Sequence, residues 1–260
     1  MENPVFVIDV TDKRNQYLAE DLRADGYKVD EYDIRKSYND SAVKYIYIFA
    51  PATVIDMNIA ETIMSGSALF CVFIDNIIGK YLSCKDVKVI KLFDDEILAM
   101  QNAYLTAEGS MAYIIQNTHV SLKNSNILIL GYGRLGKTLT KLLKDIDATV
   151  YVGTNPVEEI AQAKVVANYV CNISNCKKHF PYFNVIVNTV PAKILNLEEL
   201  SHINRDCFIL DLASNPGGLD YDAAAKLGLN TMHALGVPGK TSPKTAAEYI
   251  RESIYKTILK

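Results

Sequence analysis

Three glycines at intervals of two and three residues are the clearest chemical feature of the sequence. Gly131, Gly133 and Gly136 follow the apolar run 126–130 directly and open a helical pattern over residues 134–144. In that context the first glycine permits a tight turn, the second lets the backbone approach a pyrophosphate, and the third allows close packing of helix on strand. The alternative is a tight turn without a ligand. We predict that a dinucleotide binds the loop Gly131, Tyr132, Gly133, Arg134, Leu135 and Gly136.

The type of dinucleotide depends on the residues after the next strand, about 20 residues beyond the loop. Thr154 and Asn155 stand there without a carboxylate at the strand tip, and Glu158 and Glu159 are expected to begin the next helix. Uncharged side chains donate hydrogen bonds to a phosphate without repelling it, and Arg134 is expected to reach the same group. We therefore predict NADP as the cofactor, with NAD as the alternative.

Two further turns are predicted at the carboxyl end of the same sheet. One follows the run 185–187, where a nicotinamide ribose usually passes, although a hydrophobic turn is equally compatible. The other follows the run 208–210 and offers glycine N–H groups and a hydroxyl to a carboxylate or to the nicotinamide amide, although a plain turn also fits. The residues concerned are Thr189, Val190 and Pro191 in the first turn, and Ser214, Gly217 and Gly218 in the second.

Alternating apolar runs and helical patterns predict an α/β protein with two doubly wound parallel-sheet domains. Residues 1–95 are assigned to a flavodoxin-like substrate domain of four or five strands, and residues 96–120 to a helical linker. Residues 121–242, with six expected strands, are assigned to a Rossmann dinucleotide-binding domain, and residues 243–260 to a helix that returns to the first domain. The linker is compatible with one helix or with two helices that meet near Thr106.

Composition excludes several classes of protein. Lys and Arg number 27 against 30 Asp and Glu, and the mixed charges leave no basic surface for a nucleic acid. No apolar stretch approaches the ~18 residues of a membrane span, and the N-terminal run is expected to be a strand rather than a signal peptide. Five cysteines favour thiols in a reducing cytosol over a disulfide framework. Cys171, Cys176 and His179 are too loosely spaced for a metal site, so no metal is expected.

Five motifs occur in one order along the second half of the chain. They are NAYLTAEG at 102–109, GYGRLG at 131–136, NTVPAKILN at 188–196, LDLASNPGG at 210–218, and GVPG with SPKTA over 236–246. Together they resemble the A subunit of dipicolinate synthase over about residues 90–260. The first domain is similar only through residues 12–15, which resemble a D-x-R-Q stretch. The segment between Thr53 and Cys71 is shorter than in that family, which leaves the exact substrate and the activity open.

The resemblance implies an oxidoreductase that converts a (hydroxy)tetrahydrodipicolinate into pyridine-2,6-dicarboxylate and reduces NAD(P) during sporulation. It further implies that the partner is a smaller, flavoprotein-like B subunit, and that the protein lies in the cytoplasm of the mother cell. We also expect a homo-oligomer. Two alternatives remain at this stage: a dehydrogenase for another 2-hydroxy or 2-imino acid, and a non-catalytic NAD(P)-binding sensor or scaffold subunit.

A ring with two carboxylates requires charge-assisted donors and a group that handles a proton. Arg14, just after the first strand, is predicted to bind one carboxylate bidentately, with a solvated helix residue as the alternative. Lys244, at the start of the last helix, is assigned to the other carboxylate and to catalysis. Glu108, beside Thr106, is the first candidate for acid–base work or positioning, with a helix-capping carboxylate as the alternative. His233 is the second candidate, although a lone histidine there is more often structural.

Overall fold

The computed structural model describes residues 4–36, 38–40 and 42–258. Within that part of the chain the backbone forms two compact units. The first unit comprises Met1–Asn102 and Pro238–Lys260, and the second comprises Ala103–Val237.

The first unit contains, among the described residues, a five-stranded sheet of parallel strands. Its strands are β1 (Val5–Ile8), β2 (Lys28–Glu31), β3 (Tyr45–Ile48), β4 (Ala68–Cys71) and β5 (Lys88–Lys91), in the order β2-β1-β3-β4-β5. The three central strands are buried at every position, whereas the edge strands have exposed ends. Continuous apolar runs are typical of parallel strands that helices cover on both faces.

The helices of this unit begin at aspartate caps. The helices are α1 (Lys13–Ala24), α2 (Met57–Thr62) and α3 (Asn76–Cys84), and the carboxylates of Asp12, Asp56 and Asp75 each accept a backbone N–H of the helix that follows. Such caps replace intrahelical bonds that the first turn lacks. The sequence thus fixes where each helix starts.

The C-terminal helix belongs to the first unit, as the predicted fold class requires. It runs over Pro243–Ile258 and packs against α1, and its buried residues Ala247, Ile250 and Ile254 join the apolar core that includes Phe6. The helix was expected to include Leu259, which lies outside the described residues with Lys260.

One continuous helix, α4 (Glu96–Asn117), contains the division between the units at Asn102 and Ala103. The alternative of two helices meeting near Thr106 is therefore wrong. Gly109 is buried inside this helix, where a glycine costs about 1 kcal/mol relative to alanine, which the helix tolerates.

The second unit contains, in the described part of the chain, a six-stranded parallel sheet. Its strands are β6 (Asn126–Leu130), β7 (Thr149–Gly153), β8 (Tyr169–Cys171), β9 (Val185–Asn188), β10 (Phe208–Asp211) and β11 (Asn230–His233). The helices are α5 (Arg134–Asp145), α6 (Val157–Val166), α7 (Ile173–Cys176), α8 (Leu197–Leu200) and α9 (Tyr221–Leu227), and α10 (Val237–Thr241) leads to the C-terminal helix, α11. The order β11-β10-β9-β6-β7-β8 is that of a Rossmann domain. The predicted fold class is confirmed.

The cysteines depart from the sequence-based expectation at one point. Cys171 and Cys176 form a disulfide, because the turn of α7 after β8 brings their Cα atoms to 6.1 Å. Among the described residues Cys71, Cys84 and Cys207 carry free thiols. Burial raises the pKa of Cys71 to about 11 and that of Cys207 to about 12, so neither is a reactive thiolate.

Two features are absent from the described residues. None of their helices is long and apolar enough to cross a lipid bilayer. They also contain no group of three or more His, Cys, Asp or Glu side chains that would hold a metal ion.

We expect the substitution Ile254→Ala to lower the free energy of unfolding by about 2–5 kcal/mol, because it leaves a cavity in a fully buried position of α11. Urea denaturation followed by circular dichroism measures this change. Glu252→Ala, at an exposed position of the same helix, is the control and should shift the value by less than about 0.5 kcal/mol. Equal effects of the two substitutions would show that α11 does not contribute to the core.

Candidate functional site

The turn after β6 has no room for a side chain at its first position. Gly131 has a φ of +96°, which favours glycine. A Cβ there would collide with the Thr189 hydroxyl and would lie 3.0 Å from a Val190 methyl. The Gly131 N–H donates to the Gly153 carbonyl at 2.8 Å, which ties the turn to β7. Both backbone angle and space therefore require glycine.

The other two glycines of the loop have opposite environments. Gly133 is the N-cap of α5 and has no atom within 4 Å of a hypothetical Cβ. Gly136, inside α5, lies against the Gly131 carbonyl, where a Cβ would clash with backbone. The open position leaves the first N–H groups of a twelve-residue helix accessible, and these groups favour an anion. The loop therefore has the shape and the donors that fit a pyrophosphate.

The turn after β9 lies directly beside the glycine loop. The backbone N–H and the hydroxyl of Thr189 both donate to the Leu130 carbonyl, at 2.8 and 2.9 Å. Thr189 and Val190 are half-buried, and Pro191 is exposed. The strand order reverses between β6 and β9, which is where open α/β sheets bind ligands. The structure thus brings these two predicted segments together.

The residues after β7 are engaged in hydrogen bonds. Thr154 is 1% exposed, its N–H donates to the Cys171 carbonyl at 3.1 Å, and its hydroxyl donates to the Glu159 carboxylate. The Asn155 side-chain oxygen accepts the Ile173 N–H at 3.1 Å. The disulfide-closed loop after β8 therefore borders this end of the site, and a carboxylate lies at the tip of β7.

A buried carboxylate that sequence analysis missed organises the neighbouring loops. Asp211 is 0% exposed at the end of β10. One of its oxygens accepts the Asn188 amide at 2.8 Å and the Ala213 N–H at 3.0 Å. The other accepts the Gly218 N–H at 2.7 Å and the Tyr221 hydroxyl at 2.5 Å. These four donors satisfy the carboxylate, as a buried charge requires.

His233 supports the same loop from β11. Its Nε2 lies 2.8 Å from the Ala213 carbonyl, which fixes Nε2 as the donor, and its ring stacks on Tyr221 with centroids 5.5 Å apart. Burial, together with the hydrogen bond to the Asp211 carboxylate, raises the pKa of Tyr221 well above its usual range, so its hydroxyl stays protonated as a donor. These contacts give His233 a structural role, while its catalytic role stays a prediction.

A sequence signal for this cluster existed. Asn188, Asp211 and His233 are register partners across β9, β10 and β11. Each is the polar last residue of its strand, and carboxyl ends of neighbouring parallel strands meet at one edge of the sheet.

The glycine turn after β10 is largely occupied by its own contacts. The Gly217 N–H donates to the Ser214 carbonyl at 2.9 Å, and the Gly218 N–H donates to Asp211. Ser214 is exposed. Ligand binding by this turn stays a prediction that rests mainly on the Ser214 hydroxyl.

The two predicted cations belong to the first unit and differ in exposure. Arg14 is 4% exposed, and its Nε and Nη2 donate to the Asp12 carboxylate at 2.8 and 2.7 Å. Burial alone would raise the pKa of Asp12, but hydrogen bonds and charge from Arg14 outweigh it and hold that pKa below its usual range. Gly239 leaves room for this pair, since a Cβ there would lie 2.9 Å from the Arg14 Nε.

Lys244 is exposed in α11. The substrate roles of Arg14 and Lys244 stay predictions.

Glu108 and Thr106 lie in the part of α4 that belongs to the second unit. Glu108 is exposed in the middle of the helix, so the alternative of a capping carboxylate is wrong. The Thr106 carbonyl accepts the Ser110 hydroxyl at 2.6 Å. Acid–base work by Glu108 stays a prediction.

The first unit has a cavity of about 590 Å³ at the carboxyl edge of its sheet. Asp9, which sequence analysis did not single out, forms part of its wall and accepts the Thr11 N–H at 3.1 Å, the Ala50 N–H at 3.3 Å and the Thr53 hydroxyl. The cavity is also lined by Tyr32, Phe49, Ile59, Arg35 and Lys36. It has the size of a small-molecule site.

We expect Tyr221→Phe to lower the free energy of unfolding by about 1–3 kcal/mol, because it removes a donor from a fully buried carboxylate. Chemical denaturation at neutral pH measures the loss. Tyr182→Phe is the matched control, since Tyr182 is 69% exposed and should tolerate the change within about 0.5 kcal/mol. If both variants are as stable as the wild type, Asp211 does not depend on this hydroxyl.

Comparison with known proteins gives a consistent result. No protein-family model matches the chain. The A subunit of dipicolinate synthase from Bacillus subtilis (strain 168) is 33% identical over 171 residues, which cover 66% of this chain and 58% of that protein. The chain thus spans less than two thirds of the length of the curated relative that it matches.

Solved structures extend the similarity over both units. The crystal structure of the dipicolinate synthase A chain from Bacillus subtilis superimposes with a TM-score of 0.85 at 22% identity, covering 100% of this chain and 97% of that chain. A structure of L-alanine dehydrogenase gives a TM-score of 0.67 at 12% identity, covering 98% and 89%. At sequence identities of 22% and 12%, these structural similarities establish the fold alone. The chain is therefore similar in sequence to the A subunit of dipicolinate synthase, and it shares the fold of that subunit and of L-alanine dehydrogenase.

Proposed function

We propose that this protein is a dipicolinate synthase A-like oxidoreductase, which oxidises a (hydroxy)tetrahydrodipicolinate to pyridine-2,6-dicarboxylate while NAD(P) is reduced. The observation that carries the proposal is the glycine loop. Gly131 and Gly136 are required by close packing, whereas Gly133 is not required by any protein contact. A glycine that the protein itself does not need, at the N-terminus of α5, is explained by a ligand that approaches the backbone there.

The residues of the second unit fit such a cofactor. The N-terminus of α5 would hold the pyrophosphate, and the turn at Thr189 and Val190 would lie beside the nicotinamide ribose. When bound, the nicotinamide supplies hydride acceptance. The hydroxylated substrate loses water, then a hydride and a proton, and becomes aromatic. Because aromatisation supplies driving force, the protein is required mainly to bind and orient the ring.

The first unit is proposed to bind the dicarboxylate substrate. The size and position of its cavity at the edge of the sheet support this role. Lys36 in the cavity wall provides positive charge, whereas Arg35 is paired with Asp33, and Asp9 and Glu31 add negative charge. Arg14, Lys244, Thr106 and Ser214 are retained as proposed substrate contacts, and Glu108, His233 and Lys244 as proposed catalytic groups. The Arg14 contribution is limited by its bonds to Asp12, which occupy one edge of the guanidinium.

The biological setting belongs to the same proposal. The name of the curated relative describes one component of a synthase with several, which supports pairing with a flavoprotein-like B subunit. A homo-oligomer, a cytoplasmic location and action in the mother cell of a sporulating bacterium are proposed from the family.

A second candidate is a dehydrogenase for another 2-hydroxy or 2-imino acid. The shared fold with L-alanine dehydrogenase favours it, because one fold supports many substrates. A non-catalytic sensor or scaffold is the outcome to consider if no turnover is found.

We expect freshly generated hydroxytetrahydrodipicolinate and NAD(P) to give dipicolinate and reduced nicotinamide in equal amounts, when the protein is assayed with and without the B subunit. Absorbance of the reduced nicotinamide and chromatography of dipicolinate measure the two products. Turnover with an imino acid such as iminopyruvate, formed from pyruvate and ammonia and followed in the reductive direction, would favour the second candidate. Cofactor binding without turnover of any of these substrates would contradict both proposed enzymes, the dipicolinate-forming oxidoreductase and the dehydrogenase for another acid.

We expect Gly133→Ala to weaken NAD(P)H binding at least tenfold, because the added methyl group stands where the pyrophosphate approaches. Its free energy of unfolding should change by less than about 1 kcal/mol, since the site is open and its φ of −71° suits alanine. Fluorescence titration of the reduced nicotinamide measures the affinity. Gly79→Ala in α3 is the matched control, because a Cβ added there would have its nearest neighbour 3.9 Å away. This variant should bind NAD(P)H like the wild type. Unchanged binding by Gly133→Ala would remove the loop from the cofactor site.

A further inference from the structure

We propose that Glu159 is the residue that selects the cofactor, and that it makes the site prefer NAD to NADP. This inference rests on the proposed function, since it concerns the ribose end of the same dinucleotide site. Its carboxylate would accept hydrogen bonds from the free 2′ and 3′ hydroxyls of the adenosine ribose and would repel a 2′-phosphate.

The position of the carboxylate carries the proposal. β7 is the neighbour of β6 on the side away from β9, and the end of that strand is where a Rossmann domain holds the adenosine ribose. Thr154 follows the last residue of β7, and its hydroxyl donates to Glu159 Oε2. Glu159 stands five residues further along the chain, in α6, yet its carboxylate reaches the strand tip.

The surrounding contacts hold this carboxylate in place. α6 begins after its N-cap, Pro156, so Glu159 lies in the first turn, where a negative side chain is favoured by the helix dipole. Glu159 is half-buried, and Thr154 is almost fully buried. The Thr154 N–H bond to Cys171 fixes the backbone from which the hydroxyl projects. The group is therefore preorganised rather than a freely moving surface side chain.

The local polar groups favour a diol over a phosphate. The Thr154 hydroxyl proton is given to Glu159 and so is not offered to a phosphate. A phosphate monoester carries about −1.5 to −2 charges at pH 7, so its burial beside Glu159 is opposed by like-charge repulsion.

This result departs from the expectation of NADP. That expectation depended on the absence of an acid at the tip of β7, where Thr154 and Asn155 stand. The structure supplies the acid from the next helix instead.

Isothermal titration calorimetry of the full chain with NAD and with NADP tests the proposal. The wild type should bind NAD at least tenfold more tightly than NADP. Glu159→Gln, which keeps an acceptor for Thr154 but removes the charge, should lose most of that ratio through weaker NAD binding and stronger NADP binding. Glu158→Gln, an exposed neighbour in the same turn, is the matched control and should keep the wild-type ratio.

The possible outcomes separate this inference from the proposed function. Tighter binding of NADP by the wild type, or an unchanged ratio in Glu159→Gln, would overturn the role of Glu159 and leave the dinucleotide site intact. Failure of the wild type to bind either dinucleotide would overturn both. Melting curves of each variant show whether it folds, and Glu159→Ser provides a second uncharged variant if the glutamine variant does not.

Discussion

The buried carboxylate of Asp211 is the interaction on which the carboxyl edge of the sheet in the second unit depends. A buried charge is tolerated only when donors surround it, and here the donors come from the strand end at Asn188, the turn at Ala213, the glycine at 218 and the helix residue Tyr221. These groups lie in β9, in the loop between β10 and α9, and in α9 itself. The Asp211 side chain therefore fixes the end of β9, the loop after β10 and the start of α9 relative to one another. Loss of any one donor would leave the Asp211 carboxylate partly unsatisfied.

This polar cluster is continuous with the glycine loop through close backbone contacts. The Asn188 amide bonds both to Asp211 and to the Val190 carbonyl, which sets the turn after β9. Thr189 in that turn holds the Leu130 carbonyl, immediately before Gly131. A side chain at Gly131 would push this turn away. The glycine loop is thus supported by a series of hydrogen bonds that ends at the buried carboxylate of Asp211.

The features that could be predicted from the sequence are those with a local cause. Strands with continuous apolar runs, helical patterns and the glycine loop each depend on neighbours in the chain, and these patterns led to the confirmed fold class. The missed features depend on how the backbone folds rather than on a local pattern. Asp211 meets Asn188 across 23 positions, and Cys171 approaches Cys176, five residues further along, only because α7 turns back after β8. The helix α4 was ambiguous because Gly109 weakens the local preference, and only packing resolves that ambiguity.

In the proposed dinucleotide site, affinity and selectivity depend on different elements of the second unit. The pyrophosphate is common to NAD and NADP, so the glycine loop and α5 cannot distinguish them. Discrimination is left to the groups at the end of β7, where the two cofactors differ by one phosphate. In this chain those groups are contributed by α6 as well as by the strand, since Glu159 folds back onto Thr154. The usual rule looks for an acidic residue about 20 positions after the glycine loop. The ribose, however, interacts with any carboxylate that lies close to it, whatever its position in the sequence. Selectivity therefore depends on how the first turn of α6 is placed, which Pro156 and the hydrogen bonds of Thr154 and Asn155 determine.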